Sequence, residues 1–176
     1  MDYQEAEYPV TIRNEQESDL HNITLLHELA FKNIAEGKIV EELRKNKHLY
    51  LSLVCESENE GILIGHVAYS PITSDGKIIG LGLGPVAVLP SFQDKKIGSL
   101  LIKTGNKIAL EKKVERIFVL GDPGYYSRFG FSLAKKQNYF SKFDPEGIHF
   151  MVINHNPTVQ KENTFVSYCK EFELVG

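Results

Sequence analysis

The sequence predicts an α/β fold built on a mixed central sheet, and three observations carry that expectation. Two segments with helical periodicity precede three β-rich stretches, the last of which ends at Pro90. Turn-forming residues join those three stretches, which implies antiparallel neighbours. The last of them then passes through a helix into a further β-rich stretch at Glu115–Leu120, and a strand, helix and strand in that order imply a parallel pair.

The elements follow in chain order. "YPVTIR", Tyr8–Arg13, reads as the first strand. "SDLHNITLLHELAF" spaces Leu20, Ile23, Leu26 and Ala30 at helical intervals behind Ser18 or Asp19 as cap. "KIVEELRKN" predicts a second helix over Lys38–Asn46. "LYLSLVCE" and "ILIGHVAYSPI" are strands separated by the turn-forming "SENEG", and Asp75-Gly76 marks a hairpin into "IIGLGLGPVAVLP". Proline has no N–H for a ladder, so Gly84-Pro85 should bulge that strand or break its pairing. A helix runs from about Asp94 to Lys112, with Ile97, Leu101, Thr104 and Ile108 on one face. "GDPGYYSRFGF" reads as a tight turn, a short helix and an exit. Beyond Leu133, "HFMVI" and "TFVSYCKEFEL" are strand-like. The glycines between Gly80 and Gly84 imitate a dinucleotide fingerprint, but no helix opens after them and the likeness is discounted.

A chain of 176 residues, 42% hydrophobic and 24% charged, is the size of one domain, and residues 1–176 are read as such. The net charge of -3 argues against a general nucleic-acid binder. That charge is unevenly spread. Residues 1–60 hold 13 acidic and 6 basic side chains, a net of -7, and residues 92–136 hold 10 basic and 4 acidic, a net of +6. A polyanion would favour the second segment and a cation the first. Cys55 and Cys169 lie in apolar, strand-like runs and are expected as buried thiols, and no metal-ligand spacing is present. "MDYQEAEYPV" lacks the apolar core of a signal peptide, and no run reaches membrane-spanning length. A cytoplasmic protein is the expectation.

The chemistry concentrates in "LGPVAVLPSFQDKKIGSLLI", Leu83–Ile102. An apolar strand ends at a proline, and a basic turn opens a helix. The first N–H groups of a helix lack intrahelical partners, and with the helix dipole they form an anion site. Here they belong to about Asp94–Ser99, with Lys95 and Lys96 adding positive charge. Gly98 lets a ligand or a neighbouring strand approach closely. Taken alone, this pattern also fits an ordinary basic helix start.

The wider pattern resembles the GNAT superfamily of N-acetyltransferases. That family's acyl-CoA loop is Gln/Arg-x-x-Gly-x-Gly/Ala, and Gln93-Asp94-Lys95-Lys96-Ile97-Gly98 matches it at Gln93 and Gly98. Lys96 stands where the family usually has glycine. A negative φ at Lys96 is expected, leaving its side chain free to point outward and reach a phosphate. "VAVLP" is similar to the family's strand ending in proline, and "YYSRFGF" to its Tyr-x-x-x-Gly-Phe ending, through Tyr126, Gly130 and Phe131. The order of elements matches as well, and the likeness is greatest to the branch carrying "GDPxYYxRFGF".

The resemblance implies a GNAT fold in which parallel strands four and five splay apart. It implies acetyl-CoA as cosubstrate, its pantetheine arm on Val86, Ala87 and Val88 and its pyrophosphate on Gln93, Asp94, Lys95, Lys96, Ile97, Gly98 and Ser99. The backbone of Val86–Val88 is expected to be unpaired and free for the arm. An amine acceptor, a small molecule or a peptide, would attack the thioester directly, with an N–H near Val86–Val88 receiving the oxyanion. Tyr126 would be the acid for the departing thiolate, and Tyr125 a packing residue. Dimers are common in the family, so a homodimer is compatible. No base for the acceptor stands out. Glu28, His66, Asp122 and His149 are candidates, with Asp122 better suited to cap the short helix. Two other readings stay open: a silent acyl-CoA sensor on the same fold, and a nucleic-acid module using Lys95, Lys96, Lys103, Lys107, Lys112 and Lys113. The sensor would release no thiol with any amine, and the module would bind with steep salt dependence.

Overall fold

The computed structural model describes residues 8–156 and 162–175. The acidic start of the chain, read above as unlike a signal peptide, lies largely outside them. Nine strands and four helices follow in order: β1 Val10–Asn14, α1 Leu20–Phe31, α2 Ala35–Lys45, β2 Leu51–Ser57, β3 Leu63–Ser74, β4 Lys77–Val88, α3 Ile97–Glu111, β5 Arg116–Leu120, α4 Pro123–Tyr126, β6 Ser132–Leu133, β7 Tyr139–Ser141, β8 Phe150–Asn154 and β9 Thr164–Val166, among the described residues. Seven strands form a mixed sheet in the order β1-β2-β3-β4-β5-β8-β6, and β7 pairs with β9. No helix among the described residues is long and apolar enough to cross a membrane.

The apolar alternation of the strands fixes which helix covers which face. Val67 packs into the cluster under α3 with Leu101, Ile102 and Ala109. Its neighbour Ala68 points the other way, into the cluster under α1 and α2 with Ile23, Leu26 and Val40. Successive side chains of a strand face opposite sides, so the helices sandwich the sheet.

The feature that makes the site is in β4. Asp75 and Gly76 turn with positive φ on both, and β3 and β4 then pair closely up to Tyr69 opposite Leu83. The register shifts at Gly84-Pro85, a cis peptide, and pairing resumes with Val67 opposite Val86. On its other side β4 meets β5 only at Leu81–Ile117 and Gly82–Phe118. The bulge expected from Pro85 is therefore present, and β4 and β5 part beyond it. Contrary to the expectation from the sequence, the backbones of Val86–Val88 are not free on both sides. They pair with β3, and only their edge toward β5 is open.

Four other expectations need correction. Asp19 does not cap α1 through its side chain; its carboxylate accepts from the Gln16 N–H at 2.7 Å and from Arg13 at 2.7 Å. α2 starts at Ala35, earlier than expected, because Lys32 ends α1 in the left-handed region and Asn33 Oδ1 accepts from Ala35 N–H at 2.8 Å. The strand-like run after Val166 folds as a 3₁₀ helix at Lys170–Val175, with Phe172 packing on Tyr168 rather than on a sheet. Cys55 is fully buried, whereas Cys169 is half-buried outside any strand, its thiol donating to Pro71 O. The C-terminal segment is fastened by Glu171, whose Oε1 accepts from Asn46 at 2.7 Å and lies 2.9 Å from His48 Nδ1. These contacts tie Tyr168 and Phe172 to the end of α2.

Candidate active site

Two cavities flank the open edge of β4. The first, about 410 Å³, lies at the start of α3 between Val88, Gln93, Gly98, Ser99, Tyr125 and Arg128. The second, about 440 Å³, lies beyond Pro85 and Val86 and is walled by Tyr126, Tyr168 and Phe172. The consecutive tyrosines of α4 thus face different cavities, Tyr125 the first and Tyr126 the second.

The first cavity is built by a turn that delays the helix. Asp94 and Lys96 have φ of 63° and 62°, so α3 opens at Ile97 and not at Asp94. The expectation of a negative φ at Lys96 is therefore wrong. The loop demands the left-handed region at Lys96, at a cost of about 1–2 kcal/mol for a side chain with a Cβ. What the turn achieves is exposure of donors. The first helical bond runs from Leu100 N–H to Lys96 O at 3.0 Å, so the N–H groups of Ile97, Gly98 and Ser99 have no place in the helix ladder. A Cβ on Gly98 would stand 3.3 Å from Tyr125 Oη and 3.6 Å from Val88 Cγ2, narrowing the mouth of the cavity. Gln93 Nε2 donates to Val88 O at 3.1 Å and locks the turn to the strand end.

The side chains distribute unevenly. Lys95 turns away from the cavity, its Nζ 4.9 Å from the Phe92 ring centroid and 5.3 Å from that of Tyr8. Ile97 and Ala87 are buried in the two apolar clusters, so only their backbones can serve the site. Ser99 Oγ lies 3.5 Å from Tyr125 Oη. Arg128, not singled out in the sequence, stacks its guanidinium 4.6 Å from the Tyr125 ring centroid at the same cavity. Its place three residues after Tyr125 on a helical turn was the available signal. Tyr125 packs on Phe129, its centroid 5.3 Å away, and also lines the first cavity.

Tyr126 is held among Tyr125, Phe129 and Phe131, with centroids 5.1, 6.3 and 5.8 Å away. Burial, with Tyr125 adding to it, pushes the Tyr126 phenol up to about 12, so it stays protonated at neutral pH. Its ring leans on Gly121, where a Cβ would stand 2.8 Å from Cδ2 and closer still to Cε2. Gly121→Val should therefore force the ring or the backbone beneath it to shift and lower the melting temperature by about 3–10 °C, as overpacking does. Thermal unfolding of both proteins would check this, and an unchanged midpoint would show that the ring yields freely.

The sequence candidates for a base do not assemble. Glu28 lines neither cavity. His66 is fully buried between His27 and Ser52. Asp122 caps α4, Oδ1 accepting from Gly124 N–H at 3.1 Å. His149 is exposed and lines a shallower recess with Asp122 and Asp144. The second cavity instead holds Glu36, from the first turn of α2, and its Oε2 is buried with no hydrogen-bond partner among the described residues.

Residues 10–131 match the Acetyltransferase (GNAT) family. The uncharacterized N-acetyltransferase YhbS of Escherichia coli K12 is 36% identical over 124 residues, 70% of this chain and 74% of its own. YjhQ of the same organism, also an uncharacterized N-acetyltransferase, is 30% identical over 117 residues, 65% of each chain. The crystal structure of E. coli YhbS in complex with CoA superposes with a TM-score of 0.88 at 29% identity, covering 98% of this chain and 96% of that one. A GNAT family acetyltransferase from Brucella melitensis in complex with acetyl-CoA gives 0.78 at 34% identity, covering 94% and 99%. With the splayed β4 and β5, the opened turn before α3 and these matches together, the chain belongs to the GNAT family of acetyltransferases.

Proposed function

We propose that this protein transfers the acetyl group of acetyl-CoA to an amine acceptor, both bound at once. The observation that carries the reading is the open edge of Val86–Val88 with one cavity at each end, a donor-lined one at α3 and an aromatic one at Tyr126. The residues fit the cosubstrate. The N–H groups of Ile97, Gly98 and Ser99 and the Arg128 guanidinium suit a pyrophosphate, and the missing side chain at Gly98 keeps the mouth of the cavity clear for it. The open strand edge offers peptide groups to the amides of a pantetheine arm, as a sheet edge does to an added strand. The relatives from E. coli and B. melitensis, solved with CoA and acetyl-CoA, support this choice of cosubstrate.

In the reaction the neutral amine nitrogen attacks the thioester carbonyl from the aromatic cavity. A backbone N–H of the open edge stabilises the oxyanion. Tyr126 donates to the sulfur as the carbon–sulfur bond breaks.

Acetyl-CoA should raise the melting temperature, because it binds only the folded state. Arg128→Ala should weaken its affinity about 3- to 10-fold, the modest loss expected of one exposed charge-assisted contact. Calorimetry with acetyl-CoA, followed by thiol release across a panel of amines, tests the proposal. Absence of acetyl-CoA binding would overturn it, and binding without thiol release from any amine would leave an acyl-CoA sensor.

A further inference from the structure

The second cavity states what it would accept. Its wall is aromatic: Phe143 and Tyr168 have centroids 5.8 Å apart, Tyr168 and Phe172 5.1 Å apart, and Phe31 closes the opposite side. Glu36 is the sole charged residue among the described residues that line it. Two buried polar atoms on this lining have no partner among the described residues, Glu36 Oε2 and Tyr168 Oη. A buried carboxylate oxygen without a donor is costly in a finished structure, and it marks a place where a ligand supplies the donor.

We propose that the acceptor is a primary amine carried on a compact apolar body, aromatic or branched, with no carboxylate of its own, and that Glu36 selects it. This rests on the acetyl-transfer reading above. The ammonium of such a molecule meets Glu36, and its body covers Tyr168 and Phe172. Tyr168 Oη is left for a single polar substituent. A sugar amine would bury several hydroxyls against the aromatic wall with nothing to bond them. A polyamine would bring a second cation to a wall that offers one carboxylate. An amino acid would bring its own carboxylate against Glu36. The protons balance with Glu36 in this place. The ammonium passes one proton to the Glu36 carboxylate, and from there it leaves to solvent. The free amine attacks, the carbon–nitrogen bond forms and the carbon–sulfur bond breaks, and the second nitrogen proton ends on the thiol.

The test uses the full chain with 2-phenylethylamine and 3-methylbutylamine as probes, against phenylalanine, spermidine and glucosamine. Binding of 2-phenylethylamine to the protein–CoA complex is measured by calorimetry, and turnover by thiol release. Both probes should bind and be acetylated, and kcat/KM for 2-phenylethylamine should exceed that for phenylalanine. Glu36→Gln keeps the shape and should weaken 2-phenylethylamine binding about 10- to 150-fold, the range for a lost hydrogen bond to a charged group. Acetyl-CoA affinity should not move, which shows that the variant is folded. Phe172→Ala is the second variant and should weaken the aromatic probe more than the aliphatic one. Equal binding of 2-phenylethylamine by Glu36→Gln and the parent would overturn the proposal. So would a preference for spermidine, glucosamine or phenylalanine, and those outcomes would leave acetyl transfer standing. Thiol release from none of the amines would instead overturn the transfer reading, and this inference with it.

Discussion

Tyr126→Phe should lower kcat about 10- to 1,000-fold and leave acetyl-CoA affinity nearly unchanged, because a general acid acts on the transition state and its contribution is bounded. The phenol carries its proton at every working pH, since burial and Tyr125 push it up to about 12. A donor that weak does not protonate an ordinary thiolate outright. In the proposed reaction it would serve by hydrogen-bonding to charge as it develops on the sulfur, and water would partly replace it. Phenylalanine keeps the ring among Phe129 and Phe131, so folding is preserved. The deficit should shrink with an acyl donor whose thiol leaves more readily, because such a leaving group needs less help. Measuring kcat for both proteins with both donors decides the matter. Equal kcat, with chemistry shown to be rate-limiting, would return Tyr126 to packing.

What the sequence disclosed and what it hid follow one rule: local chemistry is readable and convergence is not. Gln93 and Gly98 sit in a contiguous turn, and Gly84-Pro85 announces the break in pairing by the proline's missing N–H. Both could be read directly. The sign of φ at Lys96 could not, because a lysine in the left-handed region contradicts its own preference and only the cavity it opens explains it. The aromatic cavity beyond Pro85 was invisible. Phe31 and Glu36 come from the junction of α1 and α2, and Tyr168 and Phe172 from the far end of the chain. No spacing links them, and "SYCKEF" is as β-like as any strand. Glu28 has the same residue type as Glu36 and also lies on a helix, yet it lines neither cavity. Residue type and helical periodicity do not tell the two carboxylates apart.

The buried histidines were also legible only as residues. His27 Nε2 lies 2.8 Å from His66 Nδ1, and His66 Nε2 lies 2.8 Å from Ser52 Oγ. Ser52 donates in turn to Glu15, which accepts from Arg44 at 2.8 Å. Since the serine proton points to Glu15, the ring N–H of each histidine is on Nε2 and both are neutral. This chain bolts α1 and α2 to β2 and β3, and Phe31 stacks on His27 at 5.9 Å. A second proton on His66 would land on Nδ1, facing the His27 N–H. One on His27 would land on Nδ1, which is buried without a partner among the described residues. Desolvation, with Arg44 nearby, pushes His27 down to about 4, and desolvation with His27 and Arg44 pushes His66 well below its ordinary value. As pH falls below about 6.5 the unfolded chain therefore binds protons that the folded one refuses, and stability present above that pH is lost toward pH 4. His27 alone accounts for about 3 kcal/mol by pH 4, at about 1.36 kcal/mol for each tenfold drop in proton affinity, and His66 adds to it. Between pH 4.5 and 6.5 the depressed carboxylates of Asp19 and Glu171 contribute little, because their unfolded values lie lower. Urea unfolding at pH 7.5, 6.5, 5.5 and 4.5 should show the midpoint falling most steeply below pH 6.5, and His27→Gln should flatten that fall while lowering the plateau. A midpoint level from pH 7.5 to 4.5 would mean that the pair accepts protons in the folded state, and the acid weakness of the α1–α2 face would have to be given up.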